Sequence, residues 1–456
     1  MPFDPQAYRP EQTLLSLGEA FYDPVAAADF PETRLRFRND RAARGIGLDG
    51  LDDAEWLAHF GRFTPLPGSL PQPLALRYHG HQFRVYNPEI GDGRGFTFAQ
   101  VRDRGRRLMD LGTKGSGQTP WSRFGDGRLT LKGGVREILA SEMLEALGAP
   151  TSRSFSLIET GEKLYRNDEP SPTRSAVLVR LSHGHIRIGT FQRLAYLRDE
   201  EGMRRLTGYV LRELYDEDSD DPLRLLDHVV SRGARLAARY MAAGFVHGVL
   251  NSDNINVTGE SFDYGPWRFA PAWEPGFTAA YFDHAGLYAF GRQPEAIHWD
   301  VMQLAVSLRV LAEAEPMIAL LDTFGDRYQP EVTAALLWRL GRKPIDPDTD
   351  RALAQAIERG LRASGAGIDR FFFDAFAQPL PADYGADWDE ARALLDQYAP
   401  RADRTHPYWR GEPCSMLIDE VEAIWSRIAE TDDWSALDAK VANIRAMGDA
   451  LLVERR

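Results

Sequence analysis

The most informative stretch of this sequence reads HGVLNSDN at residues 247–254, and FDYG follows it at residues 262–265. Asn254 and Asp263 offer the oxygen ligands that hard divalent cations prefer. The two stretches therefore predict a metal site that is built by two successive loops. On the sequence alone, replacing Asp263 by Ala should remove a metal ligand and leave the fold intact.

This arrangement matches the metal site of protein kinases except at one position. When Asn254 is aligned with the Asn of the kinase pattern His-Arg-Asp-Leu-x-x-x-Asn, the catalytic Asp of that pattern falls at Val249. A valine cannot accept a proton from a substrate. Either the protein has lost its chemistry, or it keeps nucleotide and metal for another reaction with another base. Asp253, next to the metal-binding Asn254, is the candidate for that base.

Composition and charge limit the class of protein. The 456 residues can form two or three packed units, and 43% hydrophobic residues are typical of a globular protein. The net charge of −13 argues against a general nucleic-acid binder, which needs a basic face, although a local basic pocket is compatible with it.

Targeting signals and cysteines point to the cytoplasm. The first residues contain neither the basic nor the apolar run of a secretory signal, and no apolar run is long enough to span a bilayer, so we expect no membrane partner. Cys414 is the single cysteine, which excludes a disulfide within the chain and indicates a reducing compartment.

The first half of the chain predicts a small sheet with one packed helix. Strand-like runs occur at 96–101, 154–158 and 175–180, and a helix is predicted at about 134–147, where apolar residues recur four apart. This is the content of a kinase-like N-lobe, which we place at residues 71–195.

The second half turns helical. An apolar stripe at 225–243 leads directly into the 247–254 loop, as a kinase C-lobe helix leads into its catalytic loop, and this lobe is placed at 196–335. Residues 1–70 are expected to wrap around the lobes, and residues 336–456, with a helix at 415–430, to form a helical extension. The predicted class is α+β, with a kinase-like bilobal fold.

Candidate phosphate-binding residues precede the loops. Gly91, Gly93 and Arg94 could present backbone amides and a guanidinium to phosphate, although two glycines around an Asp are also typical of a hairpin turn. Lys114 and Glu137 have the order and spacing of the kinase lysine–glutamate ion pair, against the alternative of two solvated charges.

Two arginines bracket a glycine-containing turn further along the chain. Arg180 and Arg187 could clamp a triphosphate through bidentate contacts, or could form ordinary surface ion pairs. The histidines between them, His183 and His185, are interpreted as structural, because no carboxylate ligands accompany them.

Together these blocks resemble the selenoprotein O family of protein adenylyltransferases, which are enzymes with a pseudokinase fold. The resemblance covers about residues 75–310, with the blocks in family order. They read YHGHQF at 78–83, GDGR at 91–94, LGTKGSGQTPWSR at 111–123, GDGR at 125–128, RE at 136–137, SE at 141–142, LGAPTSR at 147–153, the two-arginine segment, HGVLNSDN at 247–254 and DYGP at 263–266.

The resemblance implies that ATP binds inverted relative to a kinase, so that AMP is transferred to a Ser, Thr or Tyr hydroxyl of another protein. It implies Mg²⁺ or Mn²⁺ at Asn254 and Asp263 and Asp253 as the proton acceptor. Independently of the resemblance, we expect a monomer. The nucleotide-binding residues that the resemblance implies are Gly91, Gly93, Arg94, Lys114, Asp126, Gly127, Arg180, Arg187 and Asp263.

The sequence departs from the family pattern at two places and leaves two other functions open. Arg84 stands where relatives usually have a Gly, and Leu287 stands where an Arg is common. An atypical kinase with an unusual base, or a pseudokinase that binds ATP without catalysis, would carry similar blocks.

Overall fold

The computed structural model describes residues 3–167 and 169–454 and shows an α+β protein. Within that part of the chain the strands are β1 (Pro10–Glu11), β2 (Tyr22–Pro24), β3 (Arg34–Arg38), β4 (Leu74–Leu76), β5 (Gly80–Gln82), β6 (Val85–Asn87), β7 (Thr97–Arg102), β8 (Leu108–Lys114), β9 (Leu129–Thr130), β10 (Arg153–Leu164), β11 (Thr173–Ser182), β12 (Phe245–Val246) and β13 (Arg268–Phe269).

The helices lie mostly after these strands. In the described residues they are α1 (Asp40–Gly45), α2 (Asp53–Phe60), α3 (Leu131–Ala146), α4 (Ile188–Leu197), α5 (Glu200–Tyr215), α6 (Pro222–Ala243), α7 (Gln293–Leu308), α8 (Ala314–Asp322), α9 (Phe324–Arg339), α10 (Pro347–Ser364), α11 (Ile368–Ala375), α12 (Asp389–Leu395), α13 (Ile418–Thr431) and α14 (Ser435–Leu452). None of them is long and apolar enough to cross a membrane.

An antiparallel sheet forms the first half of the molecule, with the strand order β2-β4-β7-β8-β11-β10-β3. Its register places Lys114 opposite Leu178 and Gly112 opposite Arg180. Directly opposed residues share a face of a sheet, and so do residues two apart along one strand. Lys114 and Arg180 therefore project from the same face of neighbouring strands.

Helix α3 packs on this sheet and begins at Leu131, earlier than the predicted start at 134. The Thr130 side chain caps it by accepting a hydrogen bond from the Gly133 amide. The Gly133-Gly134 pair suggests a helix break, but a Cβ at Gly134 would lie 2.3 Å from Leu157 Cδ1 on strand β10. Glycine is thus required for the close approach of helix and sheet.

The other predicted elements occur with shifted ends. The strands predicted at 154–158 and 175–180 extend to the full lengths of β10 and β11, and the predicted C-terminal helix becomes α13. Helix α6 begins at Pro222 because Asp221 caps it, and it ends at Ala243, where the following Gly244, with a φ of 69°, turns the chain into β12 and the 247–254 loop.

Both ends of the chain pack against the sheet half. Residues before position 70 supply β1, β2 and β3, which pair with β7, β4 and β10. Trp56 of α2 stacks on Phe155 with ring centroids 4.9 Å apart. At the other end of the chain, Arg445 of α14 binds the buried Glu142 of α3 through two hydrogen bonds of 2.7 and 2.8 Å.

Candidate functional site

A cavity of about 810 Å³ brings together residues from the sheet, from the loop after β6 and from the loops after β12. Its walls include every residue that the sequence assigns to catalysis, nucleotide binding and metal binding. These are Gly91, Gly93, Arg94, Lys114, Asp126, Gly127, Arg180, Arg187, Asp253, Asn254 and Asp263.

Asp263 is surrounded by cations at the base of this cavity. Its Oδ1 accepts a hydrogen bond from Arg180 Nη1, and its Oδ2 accepts one of 2.7 Å from Arg187 Nη1. Lys114 Nζ lies 3.7 Å from Oδ1. Burial raises the pKa of Asp263, but the nearby cations outweigh burial and hold this pKa well below its usual range.

The predicted lysine–glutamate pair is in contact. Lys114, at the end of β8, donates a hydrogen bond to Glu137 Oε1 of α3, and the two residues are only 5% and 2% exposed. Burial lowers the pKa of Lys114 while Glu137 opposes that shift. The pair is therefore a buried one, rather than two solvated charges.

Arg187 connects the two sides of the cavity. Its guanidinium donates to the Asp253 carbonyl at 2.9 Å and to Asp92 Oδ1 at 3.2 Å, in addition to Asp263. It also lies over the ring of Tyr78, 4.4 Å from the centroid. Sequence analysis missed Asp92 and Tyr78. Asp92 could have been found, because it lies between the two glycines assigned to phosphate.

Asp253 carries a buried carboxylate that is only partly satisfied. Among the described residues, nothing hydrogen-bonds its Oδ1, which is buried from solvent. Burial raises the pKa of Asp253 to about 6, and Arg187 opposes this rise. Asp253 is thus a carboxylate with a raised pKa in the lining of the cavity, and its unpaired Oδ1 is the oxygen that is buried.

Gly80 keeps room for this carboxylate. A Cβ at Gly80 would lie 2.8 Å from Asp253 Oδ1. The neighbouring His81 amide donates to Ser252 Oγ at 2.7 Å, and Ser252 Oγ donates to Gln192 Oε1 at 2.6 Å. The β5 segment thus fixes the 252–254 turn from behind, a role that sequence reasoning did not assign to it.

The Asn254 side chain is oriented by the backbone carbonyl of Val249, the residue at the position where kinases carry their base. Its Nδ2 donates to the Val249 carbonyl at 3.0 Å, which leaves the Asn254 carbonyl oxygen free for another partner. The described residues contain no cluster of three or more His, Cys, Asp or Glu side chains that could hold a metal alone. Asn254 and Asp263 could still offer oxygens to a cation that takes its remaining ligands from phosphate and water, but both Asp263 oxygens already accept hydrogen bonds from arginines, which the cation would have to displace.

Close packing at the rim of the cavity explains why glycine occupies positions 91 and 93. A Cβ at Gly91 would lie 2.5 Å from Trp121 Cγ, and a Cβ at Gly93 would lie 2.8 Å from the Trp121 carbonyl oxygen. The 91–94 segment is a loop packed under Trp121 rather than a two-residue hairpin. The backbone of Gly91 forms an isolated antiparallel β-bridge with Arg77. The Arg94 side chain makes no ion pair or hydrogen bond within the described chain, so it is free to meet an anion.

Asp126 and the two histidines have local partners. The Asp126 carboxylate accepts hydrogen bonds from Arg166 at 2.8 and 3.0 Å and from the Arg128 amide at 3.0 Å. His183 bonds the carbonyls of Leu108 and Leu214, and a Cβ at Gly112 would strike the ring of His185. His183 is therefore held by backbone carbonyls, whereas neither ring nitrogen of the buried His185 has a hydrogen-bond partner among the described residues, and its Nδ1 lies 3.6 Å from Asp110 Oδ2.

Comparisons with known proteins identify the family to which this chain is similar. The family model described as protein adenylyltransferase SelO matches residues 6–410, well beyond the blocks from which the resemblance was drawn. Relatives named protein nucleotidyltransferase YdiU include those of Gloeobacter violaceus (44% identity over 95% of this chain and 94% of the relative), Synechococcus elongatus (44%, 98% and 96%) and Trichormus variabilis (46%, 96% and 96%).

The buried cations change the expectation for Asp263→Ala. Removing this carboxylate leaves Arg180 and Arg187 buried without a counter-charge, so the variant should lose about 3–5 kcal/mol of unfolding free energy. Urea denaturation measures the loss. Inorganic pyrophosphate should stabilise the variant more than the wild type, because it restores negative charge.

Asp126→Ala is the matched control at the same cavity. Its pair with Arg166 is half-exposed, with 47% of the Asp126 side chain accessible, so the loss should stay within about 1 kcal/mol. Equal losses in the two variants would show that the Asp263 cluster does not hold the fold together.

Proposed function

This chain belongs to the SelO family of protein adenylyltransferases, and we propose that it transfers AMP from ATP to Ser, Thr or Tyr hydroxyls of target proteins. One observation carries the proposal. A buried carboxylate with a free oxygen, Asp253, lies in a cation-lined cavity in which the kinase base position is Val249. The site therefore has the parts for a reaction of a nucleoside triphosphate other than kinase chemistry.

We propose that the fold is kinase-like and bilobal. The sheet with α3 would form the N-lobe at 71–195, and the helices around α6 and α7 the C-lobe at 196–335. Residues 1–70 would form the wrapping segment and residues 336–456 the helical extension. The Lys114–Glu137 pair between sheet and helix, and the loops after β12, support this division because a kinase uses the same two regions.

ATP would lie inverted relative to a kinase, with its α-phosphate toward Asp253 and the acceptor. Lys114, Arg180 and Arg187 offer positive charge for the remaining phosphates, and the exposed Arg94 adds an unpaired guanidinium at the rim. The backbone around Gly91, Gly93 and Gly127 would border the phosphates, and Asp126 would hold the rim through Arg166.

In the reaction, the acceptor hydroxyl oxygen attacks the α-phosphorus and its proton moves to a carboxylate oxygen of Asp253. The bond from the α-phosphorus to the bridging oxygen breaks, and pyrophosphate leaves. Lys114 and Arg187 stabilise the charge that develops on pyrophosphate, an electrostatic contribution that is often the largest in such sites. Mg²⁺ or Mn²⁺ at Asn254 and Asp263 would supply further neutralisation of phosphate charge.

Proper placement of the proton acceptor depends on contacts made by this chain. Arg187 holds the Asp253 carbonyl, the turn is anchored by Ser252, and Gly80 leaves space beside the carboxylate. A fixed acceptor of this kind typically contributes about 10²–10⁴-fold to the rate.

Labelled ATP distinguishes the proposed reaction from its alternatives. Incubation with a protein acceptor and Mg²⁺ or Mn²⁺ should transfer label from the α-phosphate of ATP and none from the γ-phosphate. Because the relatives are named only as nucleotidyltransferases, intact-mass spectrometry is repeated with the other three ribonucleoside triphosphates. Transfer of γ-label alone would identify a kinase, and binding of ATP with no transfer would identify a non-catalytic protein.

Asp253→Asn tests the base. The amide keeps the shape of the side chain but cannot accept the proton, so turnover should fall by about 100-fold or more while ATP affinity changes little. Turnover and ATP binding are measured across a range of Mn²⁺ and Mg²⁺ concentrations. If Asp253 only orients Asn254 or a metal ligand, saturating metal should restore activity, and full recovery would remove Asp253 from the catalytic role.

A further inference from the structure

A second cavity, of about 990 Å³, shares no residue with the candidate site. We call it the arginine cavity, because six arginines line it: Arg102, Arg106, Arg107, Arg212, Arg232 and Arg235. The carboxylates in its walls are Glu213, Asp216 and Glu260. The cavity is therefore positively charged in a protein whose net charge is −13.

Three of these arginines already have carboxylate partners. Arg102 binds Glu213 at 2.7 Å and also Glu11, Arg212 contacts Glu213 at 3.2 Å, and Arg107 pairs with Asp103. These pairs neutralise one side of the cavity.

The other three arginines make no ion pair with any carboxylate in the described ranges. Arg232 and Arg235 lie three residues apart on α6, a spacing that places them on one face of the helix, and Arg106 is exposed on the β7–β8 turn. Arg232 also lies over the ring of Tyr215, 5.9 Å from its centroid. Like-charged side chains gathered without counter-charges favour an anionic ligand.

We propose that the arginine cavity binds a small phosphate-bearing molecule. Guanidinium groups bind phosphate oxygens through paired hydrogen bonds, and arginine is favoured where phosphate is recognised. A concave cavity of this volume matches sites for small molecules rather than a flat surface for a macromolecule.

The walls of the cavity are continuous with the segments that carry the candidate catalytic residues. Glu260 lies between Asn254 and Asp263 along the chain, and its carboxylate accepts a hydrogen bond of 2.8 Å from the His183 amide. His183 in turn lies between Arg180 and Arg187.

Two further contacts join the same segments to the helices of the arginine cavity. A Cβ at Gly259 would lie 2.8 Å from Arg232 Cβ, which shows how tightly this loop packs on α6. The Tyr215 hydroxyl donates to the Val257 carbonyl at 2.5 Å. A ligand that binds Arg232 therefore contacts the helix on which the loop ending at Asp263 packs, which makes the cavity a regulatory site for the reaction proposed above.

Hydrogen–deuterium exchange of the full-length protein tests binding without ATP, metal or turnover. Inorganic pyrophosphate is the probe. It should protect residues 102–107, 212–216 and 228–235 in the wild type, with smaller protection at 254–263. In the Arg232→Ala/Arg235→Ala variant, the pyrophosphate concentration that gives half-maximal protection should rise at least about tenfold, because two unpaired cations are lost.

Arg204→Ala/Arg309→Ala is the matched control, since it removes the same charge from exposed arginines outside both cavities. Its protection pattern should equal that of the wild type.

Arg106→Ala provides a second test from a different element. Protection confined to residues 91–94 and 180–187, or an unchanged response in the α6 double variant, would overturn the proposal. Failure of AMP transfer would leave this readout unaffected.

Discussion

The Asp263 carboxylate, buried between Arg180, Arg187 and Lys114, is the interaction on which the rest of the site depends. Its partners come from two neighbouring strands and from the segment before α4, whereas Asp263 follows β12. Taking these charges out of water is costly unless they are paired, so the sheet and the loop are held in one relative position. The cluster keeps the cations concentrated in the cavity, where phosphate groups can share them.

The same cluster positions the backbone of Asp253. Arg187 holds its backbone carbonyl while one carboxylate oxygen stays without a hydrogen bond from the described residues, and burial raises its pKa. Val249 orients Asn254 through its carbonyl and has no acid of its own. The acidic group of this loop lies next to Asn254, and in the proposed reaction it accepts the proton of the hydroxyl that attacks the α-phosphorus.

The sequence was sufficient to predict the features that the order and spacing of nearby residues determine. The 247–254 loop, the helix over Glu137 and the Lys114–Glu137 pair follow from order and spacing. It placed the start of α3 three residues late, because the apolar repeat that identified the helix does not reveal the Thr130 cap. Asp92, Tyr78 and Gly80 were missed because their contacts with Arg187 and Asp253 join residues distant along the chain. The arginine cavity was visible only as a basic pocket that the net charge allowed.

The orientation of the bound nucleotide tests the central claim most directly. A crystal structure with Mn²⁺ and an ATP analogue that cannot be cleaved between its α- and β-phosphates locates each phosphorus atom relative to the Asp253 carboxylate. The account predicts that the α-phosphorus lies nearest to Asp253, with the metal between the phosphates and the side chains of Asn254 and Asp263. A γ-phosphate nearest to Asp253, with the α-phosphate directed away from it, would contradict the account.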